Sequence, residues 1–335
     1  MNPIVWIWLA VVVALGLDRL WGEVSRWHPL VGFGNTTLWL EKRLNPMHGA
    51  AHKKPLPDGA TPPSASPLRD GLWGVVAWSL LVLLPAGAYA CAHQALQPHL
   101  PAAVLWLVDT LVLYVVIGGR SLLEHAEAIA TPLLAGDLTQ ARLRVSYIVS
   151  RDTSQLDDTA CAKAACESVL ENGNDAIFGA IFWFVLLGAP GAIAFRCANT
   201  LDAMWGYRTP CFLHFGRCAA RMDDALNYLP ARLTALSYAL LGHTRQALRC
   251  WRQQASHWDS PNAGPVMAAG AGALGIQLGG NAIYHGHEEV RVTLGAGHPP
   301  TAPDIHSACR LVQQTVWLWG GVLGVLAAAA SYWRG

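Results

Sequence analysis

Four stretches of this chain, residues 3–17, 71–92, 101–119 and 315–333, are apolar and hold one charged side chain between them, Asp109. They leave the fold few options. In lipid every backbone donor and acceptor must be satisfied internally, and a spanning helix needs about 20 predominantly apolar residues. The first stretch is short and draws on flanking residues such as Trp21. Composition agrees with a lipid setting. Charged residues are 13% and hydrophobic ones 53%, against roughly 25% charge in a soluble domain. A net charge of +1 supplies no basic field for phosphate backbones, which argues against a nucleic-acid partner. The N-terminus lacks a basic segment and a small-residue cleavage site, so it reads as a retained first span.

A fifth apolar stretch, 176–198, is interrupted by Gly188-Ala189-Pro190-Gly191. Proline removes a backbone donor and clashes with the preceding turn, so two short helices that dip in and return are expected there. Charge supports the return. Lys and Arg number seven in 18–70, five in 120–175 and nine in 199–314, and none in 93–100. The positive-inside rule then places 93–100 outside, and a hairpin keeps all three basic segments in the cytoplasm. Asp109, in the middle of a span, should face the protein interior, because a carboxyl costs about 2.5–3.5 kcal/mol at that depth.

Strand signals are almost absent. The expected fold class is all-α: a polytopic integral membrane helical protein with a re-entrant or broken hydrophobic hairpin and helical cytoplasmic segments. Residues 1–335 are read as one membrane-embedded domain. Residues 45–70, rich in Pro, Ala, Ser and His, are read as a flexible cytoplasmic loop, and 120–175 and 199–314 as the cytoplasmic-side segments carrying the site. The eight cysteines form no CxxC pair and read as reduced packing residues.

Polar residues gather in four places. Asp18-Arg19-Leu20-Trp21-Gly22-Glu23 and then His28-Pro29 follow the first span, where charges often serve as solvated ends and anchors. Ser150-Arg151-Asp152-Thr153-Ser154 leads into a helix from about Asp157 to Glu171, with Ser154 and Asp157 at capping-box spacing and Asn172-Gly173 as a stop. On that helix Glu167 and Glu171 lie one turn apart, an arrangement a hard cation would relieve, although a merely amphipathic helix has the same spacing. Asn174 and Asp175 come next.

The third cluster begins with Asn199, Thr200 and Asp202. Arg217, Arg221, Asp224 and Tyr228 then form a polar stripe, with Cys218, Met222, Ala225 and Leu229 as the apolar side, Asp223 and Asn227 flanking, and Pro230 ending the helix. Arginines beside carboxylates suit a site handling phosphate and metal together, or simply a salt-bridged surface helix. The fourth is Ser260-Pro261-Asn262-Ala263-Gly264 before Gly270-Ala271-Gly272-Ala273-Leu274-Gly275. The glycines match a dinucleotide fingerprint in form only, since no strand precedes them. Small residues of this density let helices approach closely, with Gly275 and Gly279 at GxxxG spacing. His285, His287 and Glu288 read as polar loop rather than zinc ligands, and neither a Walker A sequence nor a Gly-x-Ser-x-Gly elbow occurs.

These blocks, in this order, resemble the CbiB/CobD family of cobalamin biosynthesis over nearly the whole chain. The specific parts are Arg151-Asp152-Thr153-Ser154-Gln155-Leu156-Asp157, Glu167-Ser168-Val169-Leu170-Glu171-Asn172, Asn199-Thr200-Leu201-Asp202-Ala203-Met204, Gly206-Tyr207, Ala220-Arg221-Met222-Asp223-Asp224, Asn227-Tyr228-Leu229-Pro230-Ala231-Arg232 and Ser260-Pro261-Asn262-Ala263-Gly264. The resemblance implies an ATP-dependent ligase of the bacterial inner membrane. It would join (R)-1-amino-2-propanol phosphate or ethanolamine phosphate to the propionate carboxylate of adenosylcobyric acid, with Mg²⁺ as cofactor and other cobalamin-pathway enzymes as possible partners. It implies catalytic roles for Glu167, Glu171, Asp202, Asp223 and Asp224, and Mg²⁺ ligation by Glu167, Glu171, Asp175, Asp202 and Asp224. Substrate and phosphate would be held by His28, Arg151, Asp152, Thr153, Ser154, Asn172, Asn199, Tyr207, Arg221, Asn227, Arg232, Ser260 and Asn262. Departures from the family's usual pattern are Gly22-Glu23-Val24, Gly179-Ala180 and Pro265, none of which removes an acidic or basic candidate. The competing readings are a sensor or regulator of the same fold, which should have lost these clusters, and a transporter, which should carry charge within its spans.

Overall fold

The computed structural model describes residues 2–23, 28–48, 66–149, 152–280, 282–284, 287–289 and 291–333, the side chains of 282–289 excepted. In chain order the helices are α1 (Pro3–Trp21), α2 (Pro29–Leu44), α3 (Pro67–Leu96), α4 (Ala102–Val116), α5 (Gly119–Leu134), α6 (Leu138–Val145), α7 (Asp158–Gly173), a π-helical turn (Asn174–Phe178), α8 (Gly179–Trp205), α9 (Arg217–Leu241), α10 (Thr244–Gln254) and α11 (Ala263–Leu274). Strands β1 (Gln277–Gly279), β2 (Ala282–Tyr284), β3 (His287–Glu289) and β4 (Thr293–Gly295) precede α12 (Ala302–Tyr332). The strands make two antiparallel pairs, β1 with β4 and β2 with β3. They are the exception in an all-α architecture. Among the described residues five helical stretches have the length and apolarity to cross a membrane: Pro3–Trp21, Pro67–Leu96, Ala102–Leu134, Asp158–Trp205 and Ala302–Tyr332. No disulfide joins the eight cysteines, five of which are buried. Most of the 45–70 loop lies outside the described residues; at its edges Asn45 is buried and α3 already begins at Pro67.

The apolar stretch after residue 176 doubles back. Gly188 adopts φ 68° and ψ −158° in the middle of α8, a backbone region essentially reserved for glycine. In an unbroken helix residues eight apart are about 12 Å apart along the axis. Here a Cβ on Gly191 would stand 2.5 Å from the Trp183 carbonyl oxygen. The two arms of α8 therefore form the hairpin that Gly188-Ala189-Pro190-Gly191 suggested.

The chain divides into two compact units, Met1–Gly22 with Ile117–Gly179 and Asn227–Gly335, and Glu23–Val116 with Ala180–Leu226. In the second, α3, α8 and the start of α9 enclose a core of Ala77, Trp78, Leu81, Val82, Cys197, Ala198, Leu201, Trp205, Phe215 and Ala219. Trp205 meets Phe215 edge-on at 4.9 Å and donates Nε1–H to Glu41 of α2 at 3.1 Å. Buried Glu41 also pairs with His48 Nδ1 at 2.9 Å. Asp109 of α4 accepts from the Tyr89 hydroxyl at 2.6 Å and faces His93 Nε2 at 3.3 Å, so the mid-span carboxyl has the interior polar partners expected of it.

In the first unit α7 is central. Its Ala- and Cys-rich sequence presents little bulk, and Cys161, Ala162, Ala164, Ala165, Cys166, Val169 and Leu170 are all buried. Helix α11 is buried from Ala263 to Ala273, as a helix apolar on every side should be. Gly270 abuts Leu170, and Gly272 abuts the backbone of Ala247. These two glycines supply the close approach expected of Gly275 and Gly279. Gly275 instead ends α11 in the left-handed conformation (φ 71°), and Gly279 closes β1 at φ 68°.

Two expected stops behave differently. Gly173 is the last residue of α7 but does not end the helical run, which passes into the π-turn, since Gly173 is itself helical and its bare Cα lets Tyr238 Oη and Val312 press against it. Pro230 does not end α9, which continues to Leu241. A proline leaves the carbonyl four residues earlier without its donor, and here the Leu226 carbonyl accepts from Trp183 Nε1 at 3.0 Å instead.

Gly188→Ala should cost on the order of 1–3 kcal/mol, because alanine cannot hold that backbone conformation. Thermal unfolding of the detergent-solubilised protein measures it, and an unchanged midpoint would show that the turn does not need glycine.

Candidate functional site

In the unit formed by 23–116 and 180–226, the returning arm of α8 and the start of α9 bring carboxylates together. Asn199 donates Nδ2–H to Asp223 Oδ1 at 3.3 Å. Asp202 lies within electrostatic reach of both Asp223 and Asp224. Gly206 follows on the turn after α8, and a Cβ there would collide with Asp202 Oδ1, so glycine is what lets the carboxylate lie against the backbone. Burial raises the Asp224 carboxyl above its ordinary 3.8, while the guanidinium of Arg208 pulls the other way. Three neighbouring carboxylates repel one another, and a cation or a proton relieves them. Tyr207 and Arg221 are exposed near this cluster in sequence. His28 has a structural task, its Nδ1 accepting from Leu30 N at 3.1 Å to cap α2.

The facing of α9 corrects the amphipathic reading. Asp223, Asn227 and Thr234 are buried, whereas Leu229, Leu233, Leu236 and Leu240 are 42–58% exposed. Asp223, Asn227 and Thr234 thus turn inward, while Arg217, Arg221 and Tyr228 stay exposed along with these leucines.

In the other unit, Asn174 of the π-turn is a buried hub. Its Nδ2 donates to Asp175 Oδ1 at 2.9 Å and to Asn227 Oδ1 at 2.8 Å, and its Oδ1 accepts from the Thr234 hydroxyl at 3.0 Å. π-turns inside α-helices recur at functional sites. Further along α9, Arg232 donates to Asn262 Oδ1 at 2.7 Å, Pro261 O at 3.0 Å and Tyr228 O at 2.9 Å. Its guanidinium stacks 3.6 Å over the Tyr228 ring. Ser260 Oγ accepts from Asn262 N and Ala263 N, holding the start of α11.

Other candidates make local bonds. Glu167 is buried, accepting from Gly279 N at 2.7 Å and facing Arg291 Nη2 at 3.5 Å, while Lys163 Nζ donates to Gly279 O at 3.0 Å. Side chains one turn apart thus clamp both backbone groups of one strand residue. Asn172 folds back on Ser168; Glu171 is half-buried one turn beyond Glu167. Asp157, not Ser154, caps α7, its Oδ1 accepting from Ala160 N at 2.7 Å. Asp152 Oδ1 accepts from Ser154 N at 2.8 Å, a bond that holds its carboxyl below the ordinary range; Thr153 between them is buried. Arg151 and His285, and the side chains of His287 and Glu288, lie outside the described residues. Asp18, read as a solvated end, is buried and caps α5, accepting from Arg120 N at 3.0 Å.

Asn174 stands beside Asp175 in the sequence reading without a role, and Thr234 and Arg208 are not singled out there. Arg208 follows Gly206-Tyr207 directly, so adjacency could have found it. Nothing in the sequence marks a π-turn. Among the described residues no three His, Cys, Asp or Glu side chains form a preformed metal centre. That still fits Mg²⁺, which is usually held by one or two carboxylates together with substrate phosphate and water.

Two outcomes follow. Glu167→Ala should destabilise the protein by roughly 1–3 kcal/mol, since it strands a buried N–H, and Glu167→Gln by less; unaltered stability in Glu167→Ala would remove the clamp. An acid with a raised folded pKa binds its proton more tightly folded than unfolded, so its contribution to stability falls as pH rises from the unfolded value through the raised one. Asp224→Asn should therefore raise the unfolding midpoint at neutral pH, and a lowered midpoint would contradict the strain assigned to that carboxylate.

Comparison with known proteins places the chain. The CobD/Cbib protein family model matches residues 11–312. The cobalamin biosynthesis protein CobD of Chromobacterium violaceum is 52% identical over 322 residues, 96% of each chain. That of Stutzerimonas stutzeri is 52% identical over 313 residues, 93% of this chain and 95% of the relative. That of Mycobacterium tuberculosis is 35% identical over 329 residues, 96% of each chain. No solved structure matches. With similarity running through both units and every polar block described above, the chain belongs to the CobD/CbiB family of cobalamin biosynthesis proteins.

Proposed function

We propose that this protein forms the amide bond that attaches a phosphorylated amino-alcohol, (R)-1-amino-2-propanol phosphate or ethanolamine phosphate, to the propionate carboxylate of adenosylcobyric acid. The reaction consumes ATP, gives adenosylcobinamide phosphate, and takes place at the cytoplasmic membrane of a bacterium. The observation that carries this reading is the carboxylate group of Asp202, Asp223 and Asp224, with Asn199 bonded to Asp223 and Arg208 within electrostatic reach of Asp224.

A carboxylate resists attack by an amine until one of its oxygens becomes a leaving group. Transfer of the ATP γ-phosphoryl group to that oxygen gives an acyl phosphate and ADP. Attack by the neutral amine then forms the C–N bond and releases inorganic phosphate, while the amine proton passes to a base. Asp224, its carboxyl raised by burial, is a stronger base than an ordinary carboxylate and is suited to accept that proton. Asp202 and Asp223 would hold Mg²⁺, which when bound neutralises charge on the transferring phosphoryl group. Arg208 and Arg221 offer guanidiniums to phosphate oxygens. Asn199 orients Asp223 through its amide. A sensor or regulator would have no use for this grouping of acids and arginines.

The test uses purified protein with adenosylcobyric acid, Mg·ATP and each phosphorylated amino-alcohol, with product read by mass. The expected outcome is an amide with one of the two amines, and a loss of at least 100-fold in rate for Asp202→Asn and Asp224→Asn in folded protein. Full activity in both variants would remove the carboxylate group from the chemistry.

A further inference from the structure

Beside Arg232, within residues 227–335, lies a cleft of about 390 Å³ lined by Arg232, Trp251, Arg252, Ser256, Trp258 and Asp259, among others. The two indoles are half-buried, while Arg252 and Asp259 are exposed. Arg232 spends three of its N–H groups on Tyr228, Pro261 and Asn262. A guanidinium has five donors; besides these three bonds Arg232 interacts with the Tyr228 side chain, and it lines the cleft.

A second cleft, of about 350 Å³, shares Arg252 with the first and adds Arg245 and Arg249. These three arginines sit at i, i+4 and i+7 of α10, on one exposed face. Helix α10 contains no acidic residue, and no carboxylate among the described residues pairs with the three. A row of unpaired guanidiniums attracts any polyanion. Two indoles at its end select one that also carries a flat ring, because base–aromatic stacking adds about 1–3 kcal/mol per base. The cleft has the size of a small-ligand site and is too small for a corrin ring with its amide arms.

We propose that this cleft binds a nucleoside triphosphate. The base stacks on Trp251 or Trp258, Asp259 accepts from the ribose hydroxyls, and Arg232, Arg252 and Arg249 meet the phosphates. With no Walker A loop in the chain, indoles and arginines replace the usual backbone cradle. The inference deepens the proposed reaction and rests on it only in taking ATP as the triphosphate.

Equilibrium dialysis of ATP against purified protein in neutral detergent tests it. The double variant Arg249→Ala/Arg252→Ala, altered only at exposed positions, should weaken ATP binding at least tenfold. Trp258→Leu should weaken ATP binding several-fold and leave inorganic tripolyphosphate binding unchanged; Trp258→Phe, which keeps an aromatic face, should restore most of the loss. ATP binding within twofold of wild type in both the double variant and Trp258→Leu overturns the proposal. So does tripolyphosphate binding as tightly as ATP, which would make the face a general polyanion surface. Amide formation in the same preparations separates the two claims. Product formed with an unchanged KM for ATP in these variants removes the cleft and leaves the reaction. ATP held by the cleft without any product removes the reaction and leaves the cleft.

Discussion

A backbone polar group out of reach of water must find a partner within the protein, and that requirement organises this molecule. At several places where the backbone lacks a regular partner, a side chain takes over. Pro230 withholds a donor from the Leu226 carbonyl, and the Trp183 indole supplies one. Asp18 closes the start of α5 by accepting from Arg120 N, and Glu167 with Lys163 satisfies both backbone groups of Gly279. An unmet group of this kind costs several kcal/mol in an apolar setting, which is why an indole, two carboxylates and an ammonium are all spent on backbone.

The same requirement concentrates chemistry. Side chains that are expensive in lipid turn inward and meet one another, as Asn174, Asn227 and Thr234 do in one unit and Asn199, Asp202, Asp223 and Asp224 in the other. Carboxylates gathered in this way are under mutual repulsion, and a cation carried in by substrate phosphate would find its ligands already clustered. A site of this type is completed by its substrate, in keeping with the absence of a preformed metal centre among the described residues.

Close approach is the third element. Cys- and Ala-rich α7 and the glycines of α11 let helices pack with little side chain between them. Backbones brought this close gain van der Waals contact along their length. Sequence foretold the small residues but chose the wrong pair. Gly270 and Gly272 make the contacts, while Gly275 and Gly279 are needed for their backbone angles.

The sequence by itself determined the spans, the break at Gly188, the interior partner for Asp109 and the blocks of polar residues, because hydropathy, glycine and proline act locally and need no neighbour to be read. Tertiary structure decided which way α9 faces, that Asn174 is a hub, that Glu167 holds a strand, and that Gly173 and Pro230 let their helices continue. Those outcomes turn on partners 40 or more residues away, such as Asn227 for Asn174, Gly279 for Glu167 and Trp183 for the Leu226 carbonyl. On α9 only the packed fold reveals that Asp223, Asn227 and Thr234 turn inward while several leucines stay exposed.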